Sequence, residues 1–230
     1  MRDLSNSKHE TMKLTISSTI LEACPRIKLA VITCEVKNAA SSTSLWCEME
    51  AEILRINKTY SLEEINKRPE IAATRKIYKI LGKDPNRYRP STEALCRRIV
   101  RCIPVYQVST LVDIINLVSI RSGFSIGGFD MDSILGNVEL GVGTKVDEFE
   151  AIGRGLMNVE GLPLYRDEAG GIGTPTSDNE RTKISDSTTH LLMVINGYSG
   201  EEGLQEAVDH TILLLEKYAG LKHFEVSRIN

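Results

Sequence analysis

The sequence is short of the features that mark several common classes of protein. Only 5% of its 230 residues are aromatic, and no apolar run approaches the roughly 18 residues that a membrane-spanning helix needs. The first ten residues, MRDLSNSKHE, are polar and lack the apolar segment of a secretory signal. We therefore expect a cytoplasmic protein with no membrane partner.

Cysteine and histidine are also sparse and irregularly spaced. The five cysteines include no CxxC pair, and the four histidines include no HExxH motif. An odd number of cysteines without such pairs favours reduced thiols over a disulfide framework. We therefore expect no metal site and no cofactor.

A composition of 41% hydrophobic and 26% charged residues is typical of a globular protein. The charge is unevenly distributed along the chain. Between Lys67 and Arg101, eleven Lys or Arg residues accompany three acidic residues, so this stretch carries +8, the remainder −11 and the whole chain −3. A basic block on an acidic protein indicates a surface for phosphate groups. Basic residues scattered over solvated helices would give the same count, however.

Two helices are predicted inside this basic block. The first starts at Pro69 and ends near Gly82, and the second, STEALCRRIVRC, follows Pro90. Their basic residues lie opposite their apolar ones, so the positive charge is predicted to be exposed. In the turn between the helices, two arginines flank Tyr88 in an arrangement that can bind phosphate and stack on a base, or simply fill a turn. The predicted nucleic-acid-binding residues are Arg75, Lys76, Lys79, Arg87, Arg89, Arg97, Arg98 and Arg101.

The remaining pattern predicts a single α+β domain. Strand-like segments occur at 12–21, with a possible change to helix near Ser18, and at 26–37. Helical spacing occurs at 41–57, from Thr110 to about Arg121, and at 201–220. Short strand-like segments follow the helix that starts at Thr110, and 223–229 resembles a closing strand. No repeat or linker interrupts the chain, which favours helices packed on an antiparallel or mixed sheet.

A polar stripe runs along the apolar helix that starts at Thr110. Ser109, Asp113 and Asn116 share this stripe at helical spacing, whereas apolar residues cover most of the remaining circumference. Buried polar groups need hydrogen-bond partners, because an unsatisfied one costs roughly 1–3 kcal/mol. The stripe therefore either fastens neighbouring loops or lines a pocket in which Asn116 offers a donor and an acceptor to a ligand.

Two glycine-rich segments follow this helix. Gly127-Gly128 permits a close backbone approach or a positive φ, and the loop AGGIGTPTSDNERT at 169–182 offers backbone N–H groups and hydroxyls. Together they can form a cradle for a carboxylate or a tetrahedral oxyanion, although glycine turns are common between strands. The predicted substrate-binding residues are Asn116, Gly127, Gly128, Gly171, Gly173 and Thr174.

Three segments carry a resemblance to a known family. RPSTEALCRRIV, LVDIINLVSIRSGFSIGGFDMDSILG and GGIGTPTSDNERTKISDSTTHLLMVI resemble the B3/B4 domain, the tRNA-editing module of the phenylalanyl-tRNA synthetase β subunit, in its freestanding form. The similarity covers roughly Pro90 to Ile195, with the VDxxNxV…FDxDxIxG pattern as its specific part. It implies a single B3/B4-like domain over 1–230, in which 1–89 forms an N-terminal α/β portion and 90–195 the recognised core.

The resemblance also implies a function and a site. It implies an α+β fold with an unusual β-sandwich, whose pocket hydrolyses the ester of a wrongly charged aminoacyl-tRNA. It places Asn116 at the pocket asparagine of the family and Gly171 to Thr174 at its glycine-rich loop. Two positions depart from the synthetase domain, because Gly127 stands in place of a histidine and Val194 in place of a glutamate. These two residues help the synthetase domain to recognise tyrosine, so the resemblance favours a small or apolar amino acid here.

Two functions follow as hypotheses. The first is a deacylase that acts in trans on mischarged tRNA, for which the sequence identifies no catalytic residue. His190, four residues after Asp186, is a possible base, but a histidine entering an apolar strand is more often structural. Ester hydrolysis needs only a positioned water and donors for the oxyanion. The second is a noncatalytic module that binds an amino acid-like metabolite or tRNA. No synthetase core or ATP motif is present, and the oligomeric state is not predicted.

Overall fold

The computed structural model describes residues 12–230, so residues 1–11 of the predicted single domain lie outside the described residues. The helices are α1 (Ser18–Ala23), α2 (Thr43–Thr59), α3 (Pro69–Ile80), α4 (Ser91–Val100), α5 (Thr110–Ser122) and α6 (Leu204–Tyr218). The strands are β1 (Leu14–Ile16), β2 (Lys28–Glu35), β3 (Ser125–Asp130), β4 (Val138–Val142), β5 (Glu150–Ala151), β6 (Gly155–Leu156), β7 (Pro163–Asp167), β8 (Gly170–Gly173), β9 (His190–Gly197) and β10 (Lys222–Ile229).

Most of these strands form two four-stranded sheets. The central sheet has the order β10-β2-β9-β3 and is antiparallel throughout. The outer sheet has the order β1-β4-β7-β8, and its β1–β4 pair is parallel. A small third sheet pairs β5 with β6. The prediction of a mixed sheet is therefore confirmed.

The central sheet is covered on both faces, which gives the molecule three layers. Alternate residues of a strand point to opposite faces. Leu29 and Val31 of β2 pack toward the outer sheet, whereas Ala30 and Ile32 pack toward the helices. Two apolar cores result, one between the sheets and one between the central sheet and α2, α4, α5 and α6. This arrangement confirms the predicted α+β fold with helices packed on a β-sandwich.

The helix boundaries follow the capping residues in the sequence. Pro69 occupies the first turn of α3, where its missing N–H costs no helical hydrogen bond. Helix α5 ends at Gly123, whose left-handed φ of 90° allows its N–H to bond the Ser119 carbonyl oxygen. The predicted strand at 12–21 is only partly strand, because the Ser17 side chain caps α1 from Ser18 onward.

Both glycine-rich segments of the predicted cradle differ from the prediction, since their key glycines belong to strands. Gly127 and Gly128 lie inside β3, and Gly171 and Gly173 lie inside β8. None of the four has a positive φ. Their role is therefore the close approach of neighbouring groups.

Candidate functional site

The polar stripe of α5 is largely structural. Asp113 is fully buried and accepts hydrogen bonds from the Ser41 hydroxyl at 2.5 Å and the Val108 N–H at 3.1 Å. Burial raises its pKa, and these two donors partly oppose that rise. Ser119, beside the stripe, bonds the Thr92 hydroxyl. These contacts fasten the segments before α2 and α5, and the first turn of α4, to the helix.

Asn116 differs from its two neighbours on the stripe. Its side chain is half-buried, and within residues 12–230 its amide makes no hydrogen bond. Adjacent Ile115 packs on β3, because a Cβ atom at Gly128 would collide with its Cδ1 atom. Ile115 thus reaches the predicted glycine site, whereas the Asn116 amide itself keeps its donor and acceptor capacity unused within the described residues.

The two glycine strands converge on the ring of Phe129. A Cβ atom at Gly127 would lie 2.7 Å from this ring, and a Cβ atom at Gly173 would lie 2.5 Å from it. The ring thus occupies a slot between β3 and β8. The slot exists because positions 127 and 173 are glycines, whereas any side chain at either position would collide with the ring. Tyr165 of β7 closes the slot with an edge-on contact at 6.3 Å between ring centroids.

Gly171 has a separate, purely packing role. A Cβ atom at this position would lie 2.9 Å from the Phe149 ring and 3.2 Å from Leu164. Both of these residues belong to the core between the sheets. Gly171 is therefore not brought to the surface of the predicted cradle.

Asp178 lies against the glycine slot and was missed by the sequence analysis. Its Oδ2 atom accepts a long hydrogen bond of 3.5 Å from the Gly128 N–H. Its Oδ1 atom would lie 2.7 Å from a Cβ atom at Gly173. Burial raises the pKa of Asp178 to about 7, and the Gly128 N–H offsets only part of this rise.

The sequence signal that could have identified Asp178 is its position in the TPTSDNE segment after β8. The sequence offered three hydroxyl residues there as ligand donors, and the structure uses them internally. The Thr174 oxygen accepts from the Thr176 and Ser177 N–H groups. The Thr176 hydroxyl bonds the Tyr78 hydroxyl at 2.9 Å. These bonds shape the turn that delivers Asp178 to the slot.

The two positions that depart from the synthetase domain are direct neighbours. Gly127 of β3 is paired in register with Val194 of β9. Val194 is buried in the core between the sheets, on the same side as Phe129. A side chain at Gly127 would occupy the space of the Phe129 ring, so the aromatic ring and a residue such as histidine exclude each other here.

A cavity of about 440 Å³ lies in the same sandwich, on the β2 and β10 side. Val31, which is paired with Val194, and Leu14 contribute to its apolar lining, and Glu225 contributes a charge. His190 also lines this cavity, and its Nδ1 atom lies 2.8 Å from the Asp132 carboxylate. The sequence analysis named Asp186 as the acidic residue near His190. In the structure, His190 contacts Asp132, which follows β3.

The predicted basic surface is smaller than its eleven cations suggest. The Arg75 side chain is only 11% exposed and donates to the buried Glu93 carboxylate at 2.8 Å. Arg97 is 19% exposed and lies 3.8 Å from the same carboxylate. These two guanidinium groups therefore brace α3 against α4. The exposed cations of the block are Lys67, Lys76, Lys79, Arg87, Arg89 and Arg101.

Tyr88 is also less available than predicted. Its half-buried ring lies 3.8 Å from the Lys83 ammonium, which donates to the carbonyl oxygens of Asn158 and Glu160. Arg87 lies over the ring at 5.7 Å. Two cations thus already contact this ring. Its surroundings favour an anchor of the turn over a free stacking surface.

Within residues 12–230, no helix is long and apolar enough to cross a membrane. The same part of the chain has no group of three or more His, Cys, Asp or Glu side chains placed to hold a metal ion.

Comparison with known proteins agrees with this architecture. Residues 73–220 match the B3/4 domain family. The fold resembles an N-terminal fragment of the phenylalanyl-tRNA synthetase β subunit from Pyrococcus horikoshii, with a TM-score of 0.51 and 14% sequence identity. That match covers 96% of this chain and 52% of the fragment, so the chain spans about half the length of the structure it resembles. No curated protein sequence gives a significant match. Since the family match extends over more than half of the chain, the protein belongs to the B3/4 domain family.

Proposed function

We propose that this protein binds tRNA and hydrolyses the ester bond of wrongly charged aminoacyl-tRNA. The observation that carries the proposal is the Asp178 carboxyl, with its pKa raised to about 7 beside Gly128 and Gly173. A general base works best when its pKa lies near the operating pH. Perturbed carboxyls in such places are frequent at functional sites.

The chemistry assigned to Asp178 is proton transfer. The carboxylate accepts a proton from a water molecule, whose oxygen attacks the ester carbonyl carbon. The bond from that carbon to the ribose oxygen then breaks, and the same proton passes to the ribose oxygen. Asn116, with its unused amide, is proposed to orient the aminoacyl end, and the backbone near Gly127, Gly128, Gly173 and Thr174 to form the wall beside it.

The apolar character of the slot supports a choice of substrate. Val194 occupies one of the two positions at which the resemblance implies a polar residue in the synthetase domain, and the Phe129 ring fills the space beside the other, Gly127. We therefore propose a small or apolar amino acid in preference to tyrosine. Gly171, which packs in the core, is proposed to support the wall indirectly.

The exposed cations of α3, α4 and the turn between them are proposed to grip tRNA phosphates. No synthetase core needs to be present for this role, and the cytoplasm is the proposed site of action. We also propose that residues 1–89 and 90–195 belong to one domain. The position of β2 between β9 and β10 in the central sheet supports this proposal.

The test is a panel of aminoacyl-tRNAs in which the loss of the ester is followed with and without the protein. We expect faster loss for one or a few small or apolar amino acids, and a rate lower by about 100-fold or more in Asp178→Asn. Asn116→Ala tests orientation of the substrate, and Asp186→Asn is the matched control, because Asp186 is exposed in the same segment. A panel without acceleration, or a clear preference for tyrosine, contradicts the proposal.

A second function is favoured by one observation. The Phe129 ring fills the slot between Gly127 and Gly173, which leaves less room for an ester there. A noncatalytic module for an amino acid-like metabolite, or for tRNA without hydrolysis, fits such a filled slot. A filter-binding titration against salt separates the alternatives, because phosphate contacts predict steep weakening as salt rises. A metabolite module would show little RNA affinity at any salt concentration.

A further inference from the structure

The loop between α4 and α5 displays apolar side chains to solvent. Ile103 is 40% exposed, Tyr106 70% and Val108 59%. Exposed apolar side chains scattered singly are ordinary, but several within one short loop are characteristic of an interaction site. The sequence analysis did not single out any residue of this loop.

This loop is fixed in place by its other residues. Val105 is buried in the core under the helices. The Val108 N–H donates to the Asp113 carboxylate at 3.1 Å, and the Gln107 amide donates to the Ser41 carbonyl oxygen at 3.2 Å. The exposed side chains are thus presented by an anchored backbone, which lowers the entropy lost when a partner binds.

Tyr106 is further held by an arginine of α4. The Arg98 guanidinium lies 4.6 Å from the ring centroid. Its Nη2 and Nε atoms donate to the Pro104 carbonyl oxygen at 2.7 Å and 3.3 Å. The guanidinium is therefore fixed against the ring, and a cation at this distance is attracted by the ring electrons. Arg101, at the end of α4, is exposed close by in sequence.

We propose that Tyr106, backed by Arg98, is a stacking platform for an unpaired nucleobase of RNA. Stacking on an aromatic ring is worth roughly 1–3 kcal/mol per base and tolerates any base. Arg98 and the exposed Arg101 favour RNA over a protein partner, because they attract the phosphates on either side of the stacked base. The inference rests on the proposed RNA binding and assigns a place for the single-stranded end.

The platform is also close to the candidate site along the fold. The loop leads directly into α5, and Asn116 lies six residues after Thr110, or about 9 Å along the helix axis. An unpaired strand that stacks on Tyr106 is therefore held at the N-terminal end of α5, the helix that carries Asn116. Tyr88 does not serve this purpose, since its ring is half-buried and contacted by two cations, Lys83 and Arg87.

The experiment measures the binding of two fluorescent RNAs, a single-stranded hexamer and a blunt hairpin, by anisotropy at several salt concentrations. For the hexamer, Tyr106→Ala is expected to weaken binding by roughly 5- to 100-fold, while Tyr106→Trp binds as well as the unaltered protein. The salt slope of Tyr106→Ala stays unchanged, because no phosphate contact is lost. In Arg101→Ala the slope falls by about 0.7, the value for one phosphate of a single strand.

Matched controls separate stacking from folding. Leu156→Ala removes an equally exposed apolar side chain far along the chain and is expected to leave binding unchanged. Urea unfolding of each variant shows whether it remains folded, and Tyr106→Trp reports on the platform if Tyr106→Ala does not.

Three outcomes overturn the inference in distinguishable ways. If the unaltered protein binds neither RNA, the proposed function fails and the platform fails with it. If the hexamer binds but Tyr106→Ala has no effect, or has the same effect on the blunt hairpin, the platform alone is overturned. Binding of a protein instead of RNA through Tyr106 also overturns it.

Discussion

The Asp178 carboxyl is held where water reaches it poorly, between a backbone N–H of β3 and a glycine of β8. Its pKa of about 7 in the folded protein lies above its ordinary value of 3.8. Between roughly pH 4 and 7 the folded state therefore holds a proton that the unfolded chain has lost, so stability falls as the pH rises through this window.

Replacing Asp178 by Asn removes this effect. The full pKa shift corresponds to about 4 kcal/mol, and solvent at this half-buried group screens part of it. We expect Asp178→Asn to be more stable than the unaltered protein by roughly 1–3 kcal/mol at pH 8, with the difference narrowing toward pH 4. Urea denaturation over this pH range measures it, with Asp186→Asn as the control. A difference that does not depend on pH would show that Asp178 titrates normally.

Individual site residues were predictable only in part. Asn116 and the glycines stood out because a polar residue in an apolar helix and paired glycines are local anomalies of sequence. Phe129 and Asp178 carried no such anomaly. Their roles come from contacts between β3, β8 and the following turn, which are far apart in the chain. No local pattern encodes such contacts.

Helices α3 and α4 are joined by one buried carboxylate. Glu93 of α4 lies 2.8 Å from Arg75 of α3, with Arg89 and Arg97 at 3.9 Å and 3.8 Å. We expect Glu93→Gln to lower the free energy of unfolding by roughly 2–4 kcal/mol, because it leaves the largely buried Arg75 guanidinium without its counter-charge. Chemical denaturation provides the measurement.

Arg89→Ala is the matched comparison for this brace. Arg89 is the more exposed partner and its contact is long, so its loss is expected to cost less than about 1 kcal/mol. Equal destabilisation by the two variants would mean that Arg75 is not the partner on which the brace depends.

Elements with strong end signals were predictable. Pro69 and Gly82 mark the two ends of α3 through backbone geometry, which acts locally. Strands β3 and β8 were mistaken for loops, because glycine is uncommon within strands. In these two strands, the need for space around the Phe129 ring outweighs the low intrinsic preference of glycine for strand conformation.

The uneven charge of the chain has consequences for the molecule as a whole. If the basic block contacts RNA, Lys76→Glu combined with Lys79→Glu should lower RNA affinity by 10-fold or more at low salt, because both side chains are exposed on α3. The loss should shrink as salt screens the charges. Lys145→Glu, 81% exposed outside the block, changes the net charge by the same amount as Lys76→Glu alone and is the control for that single variant. Equal losses in the two variants would indicate attraction without a defined surface.

The fold class was predictable because the hydrophobic periodicity changes from helical to strand spacing along the chain. The pairing of distant strands was not, since alternation alone does not say which strands are neighbours. For the basic residues, too, the sequence predicted part of the arrangement and the packing decided the rest. Their sequence positions gave the basic block, but only the packing revealed that Arg75 and Arg97 face Glu93.

The place of β2 within the central sheet has a consequence for how the molecule is assembled. The family match begins at residue 73, yet β2 ends at Glu35 and separates β9 from β10. A fragment cut to residues 73–220 would leave one side of β9 bare, with its backbone donors open to other chains. The range 73–220 that matches the family therefore does not coincide with a folding unit. The central sheet is complete only when β10, near the end of the chain, pairs with β2, near its beginning. Pairing between such distant segments predicts that the sheet forms slowly and late in folding.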